Sequence, residues 1–174
     1  LWLTTLASGS SGNSSLIGDS EGNRFLVDCG ISCKRIVKSL ADLSIDTESV
    51  KGIFITHEHV DHINGLMMLM KKYKIPVFAS LGTLSELTKC KGFDNSYKKL
   101  MYKIESNRPF YFNDFKVNCF NIPHDAAEPL GFSFEKYDTK VSVCTDFGTI
   151  TDEIEEGLKG SRALVIEANH DERM

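Results

Sequence analysis

The sequence has 174 residues with a formal net charge of −4, and 41% of them are hydrophobic and 25% charged, with only four prolines. That length suits one domain with a sizeable core, and the composition excludes disordered, collagen-like and disulfide-scaffold chains. No stretch reaches the roughly 18 apolar residues of a membrane span, and the start lacks the charge and length of a signal peptide. The five scattered cysteines, Cys29, Cys33, Cys90, Cys119 and Cys144, read as reduced, buried thiols, so a cytoplasmic protein with no membrane partner is expected.

In chain order, the pattern predicts a strand over 1–6, a Gly/Ser loop over 8–15, a strand over 16–18, a turn at 19–23 and a strand over 24–28. Ser32 caps a helix over 33–41 with Ile36, Val37 and Leu40 on one stripe, and a strand follows over 50–56. A helix over 63–74 places Ile63, Leu66, Met67, Met70 and Tyr73 on one face, with Lys71, Lys72 and Lys74 near its C-terminal end, where cations suit the helix dipole. Then come a strand over 75–79, a helix over 83–89, two strands within 110–123 around the Asn113-Asp114 turn, and a hairpin over 130–146 turning at 137–140. A helix over 151–159 and a strand over 163–168 complete the order. Hairpins mixed with strand–helix–strand units imply a layered α/β (α+β) domain, one unit over residues 1–174. The ending shortly after a hydrophobic strand suits a piece of a longer protein.

Chemistry concentrates in Thr56-His57-Glu58-His59-Val60-Asp61-His62, directly after an apolar strand. His and Asp are the nitrogen and oxygen ligands of zinc, manganese and iron. Positions 57, 59 and 61 alternate and point one way if the loop is extended, leaving His62 to face a neighbouring ion. A lone histidine is usually a surface or satisfied core residue, but four ligand-type residues within six positions are not scattered by accident. His124 and Asp146 also follow predicted strands and can meet this loop at one sheet edge, although alone Asp146 reads as a turn or capping carboxylate. Asp28 ends a strand in the same way.

With these residues the chain resembles the metallo-β-lactamase superfamily, whose His-x-His-x-Asp-His signature is met at His57, His59, Asp61 and His62. The resemblance implies a four-layer αββα sandwich and two divalent metal ions, Zn, Mn or Fe. His57, His59 and His124 would hold one ion, and Asp61, His62 and Asp146 the second, with Asp146 shared. Of the catalytic pair, Asp61 would orient or deprotonate a water and Asp28 would orient the ligand loop. The superfamily's last histidine ligand lies further on than His170, the only histidine after Asp146, so a C-terminal part is expected beyond this chain.

Residues 6–14, 123–129 and 167–171 look like the YycJ/WalJ-type branch of bacterial exonucleases, which implies DNA as substrate and suggests Ser10, Asn13 and His170 as substrate contacts. From Lys71 to Arg108 nine basic residues stand against three acidic ones, interleaved with Tyr73, Phe93, Tyr97 and Tyr102. Such a stretch could track a phosphate backbone or simply form solvated helix faces. A metal-dependent phosphodiesterase or DNA exonuclease is the leading expectation. A thioester, lactone or β-lactam hydrolase, and a non-catalytic metal- or nucleic-acid-binding module, are the alternatives.

Overall fold

Alternation along the apolar strands decides which side chain enters which layer. In β3 (Arg24–Val27), β4 (Val50–Phe54) and β5 (Val77–Ala79), the side chains of Leu26, Ile53, Val77 and Ala79 join one core, while Phe25, Val27, Phe54 and Phe78 join another. A strand reverses the side-chain direction at every residue, so both faces of this sheet are covered. The structure is a computed structural model and describes residues 1–167.

The first sheet runs β1 (Trp2–Ala7), β2 (Ser14–Gly18), β3, β4, β5 and β6 (Met101–Lys103), in that order. Its first three strands pair antiparallel, and β3 to β6 pair parallel. The second sheet has the order β11-β10-β9-β8-β7, formed by β7 (Phe110–Phe112), β8 (Phe115–Asn121), β9 (Leu130–Lys136), β10 (Thr139–Cys144) and β11 (Ala163–Ile166). Between the sheets lies a core rich in phenylalanine, where Phe25 meets Phe115 edge-on at 4.9 Å and Phe54 meets Phe134 at 5.0 Å.

Helices α1 (Cys33–Asp42), α3 (Leu66–Tyr73) and α4 (Leu81–Leu87) close the outer face of the first sheet over Leu26, Ile36, Ile53, Leu69 and Leu84. Helix α5 (Asp152–Leu158) closes the second sheet through Phe120, Ile122 and Ile154. An added Cβ at Gly131 or Gly157 would come within 2.3 or 2.4 Å of the Phe120 ring, so both glycines make room for it. The four layers are the αββα order expected from the resemblance. Among the described residues, no helix is long and apolar enough to cross a membrane.

Two departures bear on the site. The single helix expected over 63–74 divides into α2 (Val60–Ile63) and α3, because Gly65 donates its N–H to the Cys29 carbonyl and lies against the Ile31 carbonyl, where a Cβ would come within 2.5 Å. Strand β6 and the 3₁₀ turns Thr47–Ser49 and Asn95–Leu100 carried no readable period. Three residues are too few to show alternation.

Candidate metal centre

The site is assembled where β4, β8 and β10 end. Asp28, at the end of β3, is buried and accepts three hydrogen bonds: from the Thr56 N–H (2.8 Å), the Thr56 hydroxyl (2.8 Å) and His62 Nδ1 (2.8 Å). Because the Thr56 hydroxyl spends its one proton on Asp28, it can only accept from His57 Nδ1, 3.0 Å away. The network therefore assigns protons to Nδ1 of both His57 and His62, so that Nε2 is the atom each ring turns to a ligand. Thr56 was not singled out in the sequence, yet it sets the tautomer of one ring and helps hold the carboxylate that sets the other. Its place just before the His motif was the one available signal.

Two compact groups result. His57, His59 and His124 each offer a ligand atom within 4.8 Å of the others, and so do His57, His62 and Asp146. In the first group His124 Nε2 lies 3.2 Å from His59 Nδ1, close to the separation of about 3.4 Å between nitrogens sharing one tetrahedral zinc at about 2.1 Å. In the second, His62 Nε2 lies 3.0 Å from Asp146 Oδ2 without hydrogen-bond geometry.

His57 Nε2 and Asp146 Oδ2 are buried and have no hydrogen-bond partner among the described residues. Leaving such atoms unpaired is costly, and a cation common to both would satisfy them. The donor set of four imidazoles and a carboxylate thus fits divalent metal. Both aspartates enter from strand ends in the left-handed backbone region, Asp28 at φ 61° and Asp146 at φ 57°, a conformation non-glycine residues seldom adopt outside functional sites and turns.

The electrostatics agree. Burial, aided by the neighbouring His62, pushes His57 down to about 4, so its ring is neutral at neutral pH. Burial also opposes charge on His62, but the Asp28 and Asp146 carboxylates outweigh it and raise that ring to about 10 when no cation is bound. Asp146 is disfavoured as an anion by burial, yet contact with His62 brings it down to about 2. The Asn13 amide nitrogen, itself a donor, faces His62 Nε2 from 3.1 Å and opposes a proton there. A ring that surrenders its Nε2 proton to a cation satisfies both the carboxylates and the amide.

Asp61 stands differently from expectation. Helix α2 begins at Val60 with His59 as its cap, so the extended alternation stops at 59 and Asp61 sits on the first helical turn. Its Oδ2 is 3.6 Å from His62 Nε2, but it belongs to neither compact group; His57 falls in both groups with one Nε2 lone pair to give. The Asp28 carboxylate bonds to Thr56 and His62, which makes it a positioning residue behind the ligands. Ser10 and Asn13 line a cleft of about 450 Å³ together with Asp61 and Asp146. His170 lies outside the described residues.

Glu58 is a second residue the sequence did not single out. Its carboxylate accepts the Ala127 N–H (2.8 Å) and the Thr83 hydroxyl (3.4 Å), tying the loop that carries His124 to α4 and to the His motif. The lysine-rich stretch does not border the cleft. Lys71, Lys72 and Lys74 end α3, and Lys98 and Lys99 precede β6. Both groups lie where the parallel strands begin, whereas the site lies where they finish. Tyr97 is buried, and Tyr73 and Phe93 pack against the helical core.

Residues 23–174 match the β-lactamase superfamily domain. The chain is 36% identical over all its 174 residues to the exodeoxyribonuclease YycJ of Bacillus anthracis, and 34% identical over 166 residues, 95% of the chain, to the exodeoxyribonuclease WalJ of Streptococcus pneumoniae. It spans 65% and 61% of the lengths of these two relatives. Its fold is similar to that of the Rm3 metallo-β-lactamase, with a TM-score of 0.67 at 18% identity, covering 90% of this chain and 66% of that one. The ligand motif, the αββα layers and the match from residue 23 to the end agree, and the chain belongs to the β-lactamase superfamily of metallo-β-lactamase fold.

Proposed function

We propose that the protein is a metal-dependent phosphodiesterase acting on nucleic acid, with exonucleolytic cleavage of DNA as its reaction. The observation that carries the reading is the pair of ligand triads sharing His57, each with its donor atoms within 4.8 Å. The likeness over the whole chain to relatives named exodeoxyribonucleases supports DNA as the substrate class. His57, His59 and His124 would hold one divalent ion, and Asp61, His62 and Asp146 the other, because the single Nε2 lone pair of His57 serves one ion alone. Two such ions, when bound, would lower the pKa of a water to near neutrality and offset negative charge on a phosphodiester.

The chain's own residues do the rest. Asp28 and Thr56 keep His57 and His62 in the tautomers that present Nε2 to the centre. Asp61, partly exposed at the cleft, would orient a water or accept its proton. Glu58 holds the His124 loop in register with His59.

The test is incubation of end-labelled single- and double-stranded DNA with the protein in zinc or manganese. Release of terminal nucleotides that is lost on chelation and in Asp146→Ala is the expected result. Ester or lactone cleavage with intact DNA would overturn the reading.

A further inference from the structure

Around the cleft, three stretches of backbone pass closer than side chains permit. The Asn13 N–H donates to the Asp61 carbonyl (2.7 Å), and the Asn13 carbonyl accepts from Gly30 (2.8 Å). A Cβ on Gly30 would fall 1.6 Å from the Asp61 carbonyl oxygen, and one on Gly12, already at φ 139°, would fall 2.5 Å from the Gly30 carbonyl. The crossing fixes where the Asn13 backbone stands relative to the His motif. Its side chain is fixed in turn, because Oδ1 accepts the Gly9 N–H at 3.0 Å. The Nδ2 end must then face inward, 3.1 Å from His62 Nε2 and 3.5 Å from Asp61 Oδ2.

We propose that Asn13 is a catalytic residue, a preset N–H donor to a phosphoryl oxygen of the substrate on the His62–Asp146 side of the centre; this rests on the phosphodiesterase reading. One N–H points toward Asp61. The other faces His62 Nε2, whose lone pair a bound cation would take, and so it would be left facing the cleft with no other acceptor among the described residues. A neutral amide suits this place, since Asp61 and Asp146 already supply negative charge and a third carboxylate would repel a phosphate. A donor held in advance costs no reorganisation when charge develops on the substrate oxygen.

Asn13→Ala and Asn13→Asp test this. The aspartate keeps an acceptor for Gly9, so the loop holds, while the inward donor is lost. In protein loaded with zinc or manganese, three quantities are measured: bound metal, affinity for inorganic phosphate by calorimetry, and kcat and KM on bis-p-nitrophenyl phosphate. Both variants should keep their metal, bind phosphate at least 10-fold more weakly and lose about 100-fold in kcat, the usual cost of removing one such donor. Unchanged phosphate affinity and kcat, loss of metal in step with activity, or no phosphate binding to the loaded wild type would each overturn the proposal. Phosphate binding that depends on Asn13 in a protein without diesterase activity would sink the proposed function and leave the assignment of the donor standing.

Discussion

The Asp28–His62 contact shows how one buried carboxylate governs a ligand it holds from behind. Asp28→Asn removes the anion but leaves an amide of the same shape, and should weaken binding of the second ion about 10- to 100-fold, the usual effect of losing such a partner. Competition with a chelator of known affinity measures it. The same contacts set a pH dependence for the metal-free protein. His62 is raised from 6.5 to about 10, so its contribution is full below pH 6.5 and is lost as pH climbs through 10. His57 is lowered to about 4, so the unfolded chain binds the extra proton between about 4 and 6.5, and stability falls as pH drops through that window. Denaturation of chelated protein should therefore show maximal stability near pH 6.5. Metal affinity should instead keep rising with pH, because binding expels the His62 proton. A flat stability profile from pH 5 to 9 would contradict the assignment.

Among the elements, the strand ends carry the site, and that much was readable from the chain. His57, His124 and Asp146 each follow an apolar run, and the structure brings all three together. What could not be read is where the backbone stops being extended. Val60 begins a helix, so Asp61 leaves the alternation that 57 and 59 obey, and a four-residue helix leaves no period to detect. The Asp28–Thr56–His57 relay was hidden for another reason, since its partners meet only after β3 and β4 pair in parallel. Gly30 was likewise illegible, because its lack of a side chain matters only through the Asp61 carbonyl that folding places against it. Gly30→Ala should cost about 3 kcal/mol or push the His loop outward, as overpacking does. A lowered melting temperature accompanied by weakened metal binding is the expected readout.

Taken as a whole, the molecule separates its stability from its chemistry along the strand direction. At the end away from the metal centre, the buried Lys136 amine on β9 reaches Asp19 (2.8 Å) and Glu21 (2.9 Å) on the β2–β3 turn, joining one sheet to the other. Hydrogen bonds to those two acids hold Lys136 well above the usual lysine range. Lys136→Ala should strand the buried Asp19 carboxylate and lower the melting temperature while leaving metal content unchanged, which calorimetry and elemental analysis would check. The strands that carry the phenylalanine core were legible as apolar runs. The long-range pairing of Lys136 with Asp19 was not, because nothing local marks a partner more than a hundred positions away. The central proposal is that the pocket gathering His57, His59, His62, His124 and Asp146 holds a pair of cations, with His57 giving its one Nε2 lone pair to one of them. Metal bound per chain, measured by elemental analysis after zinc loading and gel filtration of wild type and His57→Ala, tests it most directly. Two equivalents falling to one or none in a folded variant is the expected result; fewer than one equivalent in the wild type, or no loss in the variant, would contradict it.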